Sequence, residues 1–215
     1  MSARDSILAR IRTARGAGAA ATEAERAAVE ARIAARTPGT RQAVAFELVP
    51  RFIEQCERMA STVDRVATDA DVPAAVARYL QDKDLPRQAA AWPAIAALDW
   101  TGTGVQVEGR PARGDDLVGI TGVHLAVAET GTLMLLSSPT THATTSLLPE
   151  THIAVVPTGR IVRAMEEAWV QTRSELDELP RAVNFVSGPS RTADIEGILQ
   201  IGAHGPFRVH VIVVG

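Results

Sequence analysis

Glu129 is the carboxylate best placed to do chemistry, because it directly precedes a turn of small residues and then a run of apolar ones. Thr130, Gly131 and Thr132 follow it and form the predicted ligand-binding turn. Held in a pocket, such a carboxylate would serve as a general base, or as a nucleophile that forms an acyl intermediate. Solvated, or bonded to a neighbouring backbone amide, it would be structural. The residues alone leave both interpretations open.

A second polar group lies at residues 188–196, after a predicted strand at residues 183–186. Its predicted ligand-binding residues are Gly188, Ser190, Arg191, Thr192 and Asp194. A strand leading through this segment into a helix would place backbone N–H groups at the carboxyl edge of a sheet, where anions bind. The Arg191 guanidinium would add two parallel hydrogen-bond donors for a carboxylate or phosphate. In the structural alternative, Ser190 caps the helix, Asp194 faces its dipole and Arg191 lies on the surface.

His204 is the histidine predicted to take an acid–base or hydrogen-bonding role, because it lies in a Gly-rich segment before the last predicted strand. The five histidines show neither paired helical spacing nor clustered carboxylates, so no metal site is predicted. His210 alternates with valines and is predicted to be structural. His152 follows Leu-Pro-Glu and is predicted to lock a turn.

Cys56 and Lys83 are the only cysteine and the only lysine, and each narrows the possible chemistry. One cysteine cannot supply an internal disulfide or the four ligands of an iron–sulfur cluster. Cys56 lies on the apolar side of a predicted helix, which favours a buried, inert thiol. Lys83 lies in a charged loop, which argues against a Schiff base or a Walker-type phosphate lysine.

The composition indicates one globular domain of about average size with an added N-terminal arm. Of the 215 residues, 46% are hydrophobic, which is enough for a core, and no apolar run reaches the length of a bilayer span. The N-terminus lacks the apolar block of a secretory signal, so a cytoplasmic protein without membrane insertion is expected. We expect the arm at residues 1–41 and the α/β domain at residues 42–215.

Charge is uneven between these parts. Residues 1–41 carry eight Arg against four acids, and the remainder carries 14 basic residues against 21 acidic ones. A basic arm can bind nucleic acid, but this arm has no aromatic residues for stacking on bases. We therefore expect no nucleic-acid partner and a helical arm that packs on an acidic surface of this chain or of a partner.

Local patterns predict alternating helices and strands. Helices are predicted at residues 2–14 and 22–36, from Pro50 to about residue 59, and at residues 71–80, 161–172 and 192–199. Strands are predicted at residues 62–67, 88–92, 133–136, 153–156, 183–186 and 209–214. This alternation predicts an α/β fold of three layers, a Rossmann-like and mostly parallel sheet with helices on both faces.

Five strings in the C-terminal half resemble the LUD domain of the lactate utilization protein C family. They lie at residues 119–122, 126–132, 146–153, 188–196 and 204–206, and they cover residues 114–215 closely. The resemblance implies the Rossmann-like fold shared by CoA transferases, ribose-phosphate isomerases and formyltetrahydrofolate cyclo-ligases. It also implies a role in oxidising L-lactate to pyruvate together with separate iron–sulfur subunits. Where the family often carries an Arg before Ser-Leu-Leu-Pro, this chain has His142, which would bind a carboxylate only when protonated.

Two functions remain open. In the first, the chain is a non-redox subunit with no cofactor of its own, it binds a small carboxylate or phosphate, and iron–sulfur clusters lie on its partner subunits. In the second, it is a free-standing enzyme of the CoA-transferase or isomerase kind, with Glu129 as base or nucleophile on an acyl-CoA or sugar phosphate. A homo-oligomer is compatible with either function.

Overall fold

A computed structural model describes residues 2–14, 21–37, 39, 45–193, 198 and 200–215. The chain divides into two compact units, Met1–Val44 and Ala45–Gly215. Among the described residues, no helix combines the length and the apolar character that crossing a bilayer requires.

The first unit contains the two predicted helices, α1 (Ala3–Ala14) and α2 (Glu23–Ala35). The start of α2 is set by a capping box: the Thr22 hydroxyl accepts from the Glu25 amide, and the Glu25 carboxylate accepts from the Thr22 amide. Neither helix has a buried residue. Packing of the arm on an acidic surface stays a prediction.

The second unit alternates helices and strands as predicted. Its helices are α3 (Leu48–Arg58), α4 (Val72–Asp82), α5 (Pro93–Ala96), α6 (Thr144–Leu147) and α7 (Met165–Glu175). Its first strands are β1 (Thr62–Val66), β2 (Gln88–Ala91), β3 (Gln106–Gly109), β4 (Val118–Thr121), β5 (Leu125–Val127) and β6 (Thr132–Leu136). The later strands are β7 (Thr151–Pro157), β8 (Ile161–Val162), β9 (Val183–Val186), β10 (Arg191–Thr192), β11 (Gln200–Ile201) and β12 (Arg208–Val214).

The predicted parallel sheet is confirmed and has six strands in the order β1-β12-β7-β4-β2-β3. The central strands β7 and β12 are apolar on both faces, as expected of strands covered on both sides. One face packs against α4 through Ile153, Val155, Ile212 and Val214. The other face packs against α3 through Ala154, Val156, Val211 and Val213. The predicted helices on both faces are therefore present.

A second sheet, in the order β8-β5-β6-β9, lies beside α3 over the same face of the central sheet. Its opposite side packs against α7 through Leu125, Val127, Met134 and Ala168. The sequence predicted no such layer and placed residues 183–186 in the parallel sheet, which is wrong: β9 pairs antiparallel with β6. The predicted helix at residue 161 begins four residues later, because Ile161 and Val162 pair with β5.

The helix predicted directly after the Gly188 segment is also wrong where the structure describes it. Arg191 and Thr192 form β10, which pairs antiparallel with β11. The backbone of Ser190 is committed to a distant part of the chain: its amide donates to the Pro206 carbonyl (2.9 Å), and its carbonyl accepts from the Gly202 amide (2.9 Å). These bonds replace the local ones that a helix would need. Residues 194–197 and 199, including Asp194, lie outside the described residues.

Candidate functional site

The predicted site lies at the amino edge of the central sheet, not at the carboxyl edge. Met59, Ala60 and Ser61 lead into β1, and residues 205–207 lead into the adjacent parallel strand β12. The first residues of these two strands therefore lie on the same edge. The segment around Gly188 contacts both of the leading segments, through Met59 and through Pro206. Placement at the carboxyl edge assumed that β9 belongs to the parallel sheet, and it does not.

Met59, at the C-terminal end of α3, is the point on which this segment is anchored. Gly188 has a φ of +77°, and a Cβ atom there would lie 2.1 Å from the Met59 carbonyl oxygen. The Arg191 guanidinium donates to the same carbonyl through Nη2 (3.1 Å). Arg191 thus caps the electronegative end of a helix, where a cation is stabilising. The predicted arrangement, an anion held at the electropositive start of a helix, is not what the described residues form.

A row of hydroxyl groups joins the Glu129 turn to the same segment. Thr130 Oγ1 lies 2.7 Å from Thr132 Oγ1, which lies 2.7 Å from Ser187 Oγ. Gly131, at φ +63°, packs so closely on α3 that a Cβ atom would lie 2.6 Å from the Cys56 amide nitrogen. The structure therefore brings together two strings, 130–132 and 187–191, that lie about 55 residues apart.

Glu129 itself is half-buried and lies in the turn between β5 and β6. Its backbone amide donates to the Arg163 carbonyl (3.0 Å). Arg163 in turn places its guanidinium 4.5 Å from the centre of the Phe46 ring. The turn is thus held by the residues that follow β8 and precede α3.

The third string, residues 204–206, packs on Ser190. The His204 amide lies 3.4 Å from Ser190 Oγ, and a Cβ atom on Gly205 would lie 3.3 Å from Ser190 Cβ. His204 is exposed, and Thr192 pairs with Gln200 in the β10–β11 hairpin. His204 and Glu129, the two predicted acid–base residues, are therefore held by different elements.

Two histidines have surroundings that the sequence did not reveal. His152 is fully buried in β7, and its Nε2 lies 2.8 Å from Thr121 Oγ1. Burial lowers the pKa of His152 to about 4. The prediction that His152 locks a turn is wrong, because it is the second residue of a buried strand. His142 is half-buried, and its carbonyl accepts from the Trp92 indole (3.2 Å).

A surface pocket of about 250 Å³ opens beside the anchored segment. It is lined by Ala60, Thr62, Tyr79, Lys83, Pro189, Phe207, Arg208 and Val209. Sequence reasoning missed this site because its polar residues come from three distant parts of the chain and form no motif. Two of its residues could have been noticed from the sequence: Pro189 lies within the string at residues 188–196, and Phe207 directly follows the string at residues 204–206.

Cys56 is expected to be unreactive in the folded protein. It is 1% exposed, and burial, together with the charge of Glu57, raises the pKa of its thiol to about 12. Because the thiolate is the reactive form, alkylation by iodoacetamide at pH 8 should be negligible in native protein and complete in denaturant. Mass spectrometry of the alkylated chain measures this. Rapid native labelling would mean that the contact between α3 and Gly131 opens readily.

Comparison with known proteins identifies the family of this chain. A sequence model of the LUD domain matches residues 49–214. The chain is similar to Lactate utilization protein C 1 of Bacillus mycoides, with 44% identity over 106 residues, which are 48% of this chain and 45% of the relative. Lactate utilization protein C of Bacillus licheniformis is 41% identical over 100 residues, 45% of this chain and 42% of the relative. The chain spans less than half the length of these curated relatives.

A solved structure supports the same fold. The crystal structure of a DUF162 family protein from Deinococcus radiodurans aligns with a TM-score of 0.57 and 24% identity, covering 78% of this chain and 96% of that chain. At this identity the likeness shows the fold alone. The LUD domain match, in contrast, extends over most of the chain, from α3 to the end of β12. The chain therefore belongs to the LUD domain family.

Proposed function

We propose that the chain is a non-redox component of an L-lactate utilization system, and that it acts with separate iron–sulfur subunits. The similar curated proteins carry the name Lactate utilization protein C, and the chain has the LUD domain. A non-redox role is supported by the cysteine content, since the single cysteine is buried and could not supply a cluster's ligands.

We also propose that a small carboxylate or phosphate binds near Glu129 and the segment from Gly188 to Thr192. The observation that carries this proposal is the convergence of three family strings on the end of α3 and on Ser190. Hydroxyl groups of Thr130, Thr132 and Ser187 supply donors and acceptors there, and Arg191 supplies positive charge. Pairing of the Arg191 guanidinium with a carbonyl keeps it oriented.

Deletion and complementation in the source organism test the proposed role. Loss of the chain should abolish growth on L-lactate but not on pyruvate, because the block would precede pyruvate. A tagged copy purified from lactate-grown cells should bring iron and L-lactate oxidation with it. Growth of the deletion strain on L-lactate at the normal rate would contradict the proposal, and turnover of an acyl-CoA or sugar phosphate by the purified chain would favour the enzyme alternative.

Complementation with Arg191→Ala tests the site within the same strain. We expect slowed growth on L-lactate, since loss of a hydrogen bond to a charged group weakens binding about tenfold or more. Arg173→Ala is the matched control, because Arg173 is an exposed arginine on α7 that lies over the Trp169 ring. Equal growth of the two variants would remove Arg191 from the proposed site.

A further inference from the structure

The pocket beside Pro189 has a defined origin in the fold. Tyr79 and Lys83 are four residues apart at the end of α4, so their side chains lie on the same side of the helix. Thr62 pairs with His210 between β1 and β12, and Arg208 lies two residues before His210 on the same face of the sheet. That face is the one toward α4, because the His210 ring stacks on the Tyr79 ring with 3.9 Å between centroids. The pocket therefore lies between the last turn of α4 and the first residues of two parallel strands.

The polar side chains of this pocket suit an anion. Lys83 and Arg208 are cationic, Thr62 and Tyr79 carry hydroxyl groups, and none of the described residues that line the pocket is acidic. Arg208 lies 3.8 Å from a carboxylate oxygen of Glu150, and the Glu150 side chain is 64% exposed, so solvent and salt screen this pair. The C-terminal end of α4 contributes partial negative charge, which Lys83 offsets. The charged side chains that line the pocket are therefore both cationic.

The hydroxyl groups are held in place by buried neighbours. Thr62 Oγ1 lies 2.8 Å from His210 Nδ1, and the Tyr79 ring stacks on the ring of the same histidine. Tyr79 and His210 are almost fully buried, at 6% and 2% exposure. A ligand would therefore meet preoriented hydroxyl groups and would order few side chains on binding.

Apolar residues form the remaining wall. Pro189 and Phe207 also line the pocket, and Arg208 places its guanidinium 5.1 Å from the centre of the Phe207 ring. We propose that this pocket binds a small organic anion, with its carboxylate or phosphate between Lys83 and Arg208 and its apolar part against Phe207 and Pro189. This site does not depend on the proposed function, and it involves neither Glu129 nor Arg191.

Fluorine NMR tests the proposal directly, because Tyr79 is the only tyrosine of the chain. The full chain labelled with 3-fluorotyrosine should give one resonance, and titration with propionate or with inorganic phosphate at constant ionic strength should shift it saturably. Propionamide, which has the same shape as propionate but no charge, should leave it unmoved. Saturation by propionate alone would assign the pocket to carboxylates, and saturation by phosphate alone would assign it to phosphates.

Variants identify the residues that bind the anion. Lys83→Gln and Arg208→Gln should each raise the dissociation constant about tenfold or more, as loss of a charge-assisted hydrogen bond does. Arg78→Gln is the control, because Arg78 is on the same helix but pairs with Asp64 and does not line the pocket. Lys83 is exposed, so its variant remains informative if Arg208→Gln fails to fold. No saturable shift at millimolar anion, an equal response to propionamide, or an equal loss in Arg78→Gln would overturn the proposal.

Discussion

Lowering the pH from 7 to 5 is expected to reduce the free energy of unfolding by about 4 kcal/mol, of which His152 and His210 each account for about half. Burial lowers the pKa of both to about 4. The positive charges of Lys83 and Arg78 lower the pKa of His210 further. The negative charge of Asp64 and a hydrogen bond with Thr62 act in the opposite direction and raise this pKa. In the unfolded chain a histidine titrates near pH 6.5.

The sign follows from these pKa values. Between pH 6.5 and 4 the unfolded chain binds protons at these two positions and the folded chain does not, so acid favours unfolding. The stability is fully present above pH 6.5 and is lost as the pH falls toward 4. Burial also lowers the pKa of His124, which adds a change of the same sign. Most carboxylates titrate below this range, so the interval from pH 7 to 5 isolates the histidines.

Urea denaturation at pH 7, 6 and 5 measures the effect. His152→Gln and His210→Gln should each remove about half of the pH dependence, whatever their effect on stability at pH 7. A wild-type stability that is constant from pH 7 to 5 would contradict this prediction, because it would mean that both rings bind protons in the folded protein as they do in the unfolded chain.

Replacing Gly188 by alanine is expected to cost about 2 to 5 kcal/mol of folding free energy, from two separate causes. The first is the left-handed backbone, at φ +77°, which costs an L residue about 1 to 2 kcal/mol. The second is the overlap of the new Cβ with the Met59 carbonyl at 2.1 Å, which forces the chain apart and adds about 1 to 3 kcal/mol.

Gly102→Ala is the matched control, because Gly102 has nearly the same backbone angle, φ +76°, and nothing within 4 Å of the new Cβ. It should show only the first cost, so the difference between the two variants in urea denaturation measures the contact with Met59. Hydrogen exchange at residues 187–191 shows whether the segment detaches locally from α3 or the whole domain is destabilised. Equal destabilisation by the two substitutions would contradict the close packing of Gly188 on Met59.

The two histidines illustrate how far the sequence could lead. An apolar, alternating pattern around His210 was sufficient to predict a buried strand, and that prediction is confirmed. The pattern around His152 contains the same signal, but the preceding Leu-Pro-Glu favoured a turn. What neither pattern could indicate is the partner of each ring, since Thr62 and Thr121 lie on neighbouring strands far away in the chain.

The sequence by itself determined the features that depend on local interactions. The capping box at Thr22 and Glu25 lies within four residues, and the apolar runs of β7 and β12 are continuous, so both could be predicted. The family strings also predicted the α/β fold correctly. Only the tertiary structure decided where those strings meet. The backbone of Ser190 bonds with Gly202 and Pro206, and Gly188 packs on Met59. These non-local contacts give Arg191 and Thr192 a strand pairing with Gln200 and Ile201, and they place the candidate site at the amino edge of the sheet.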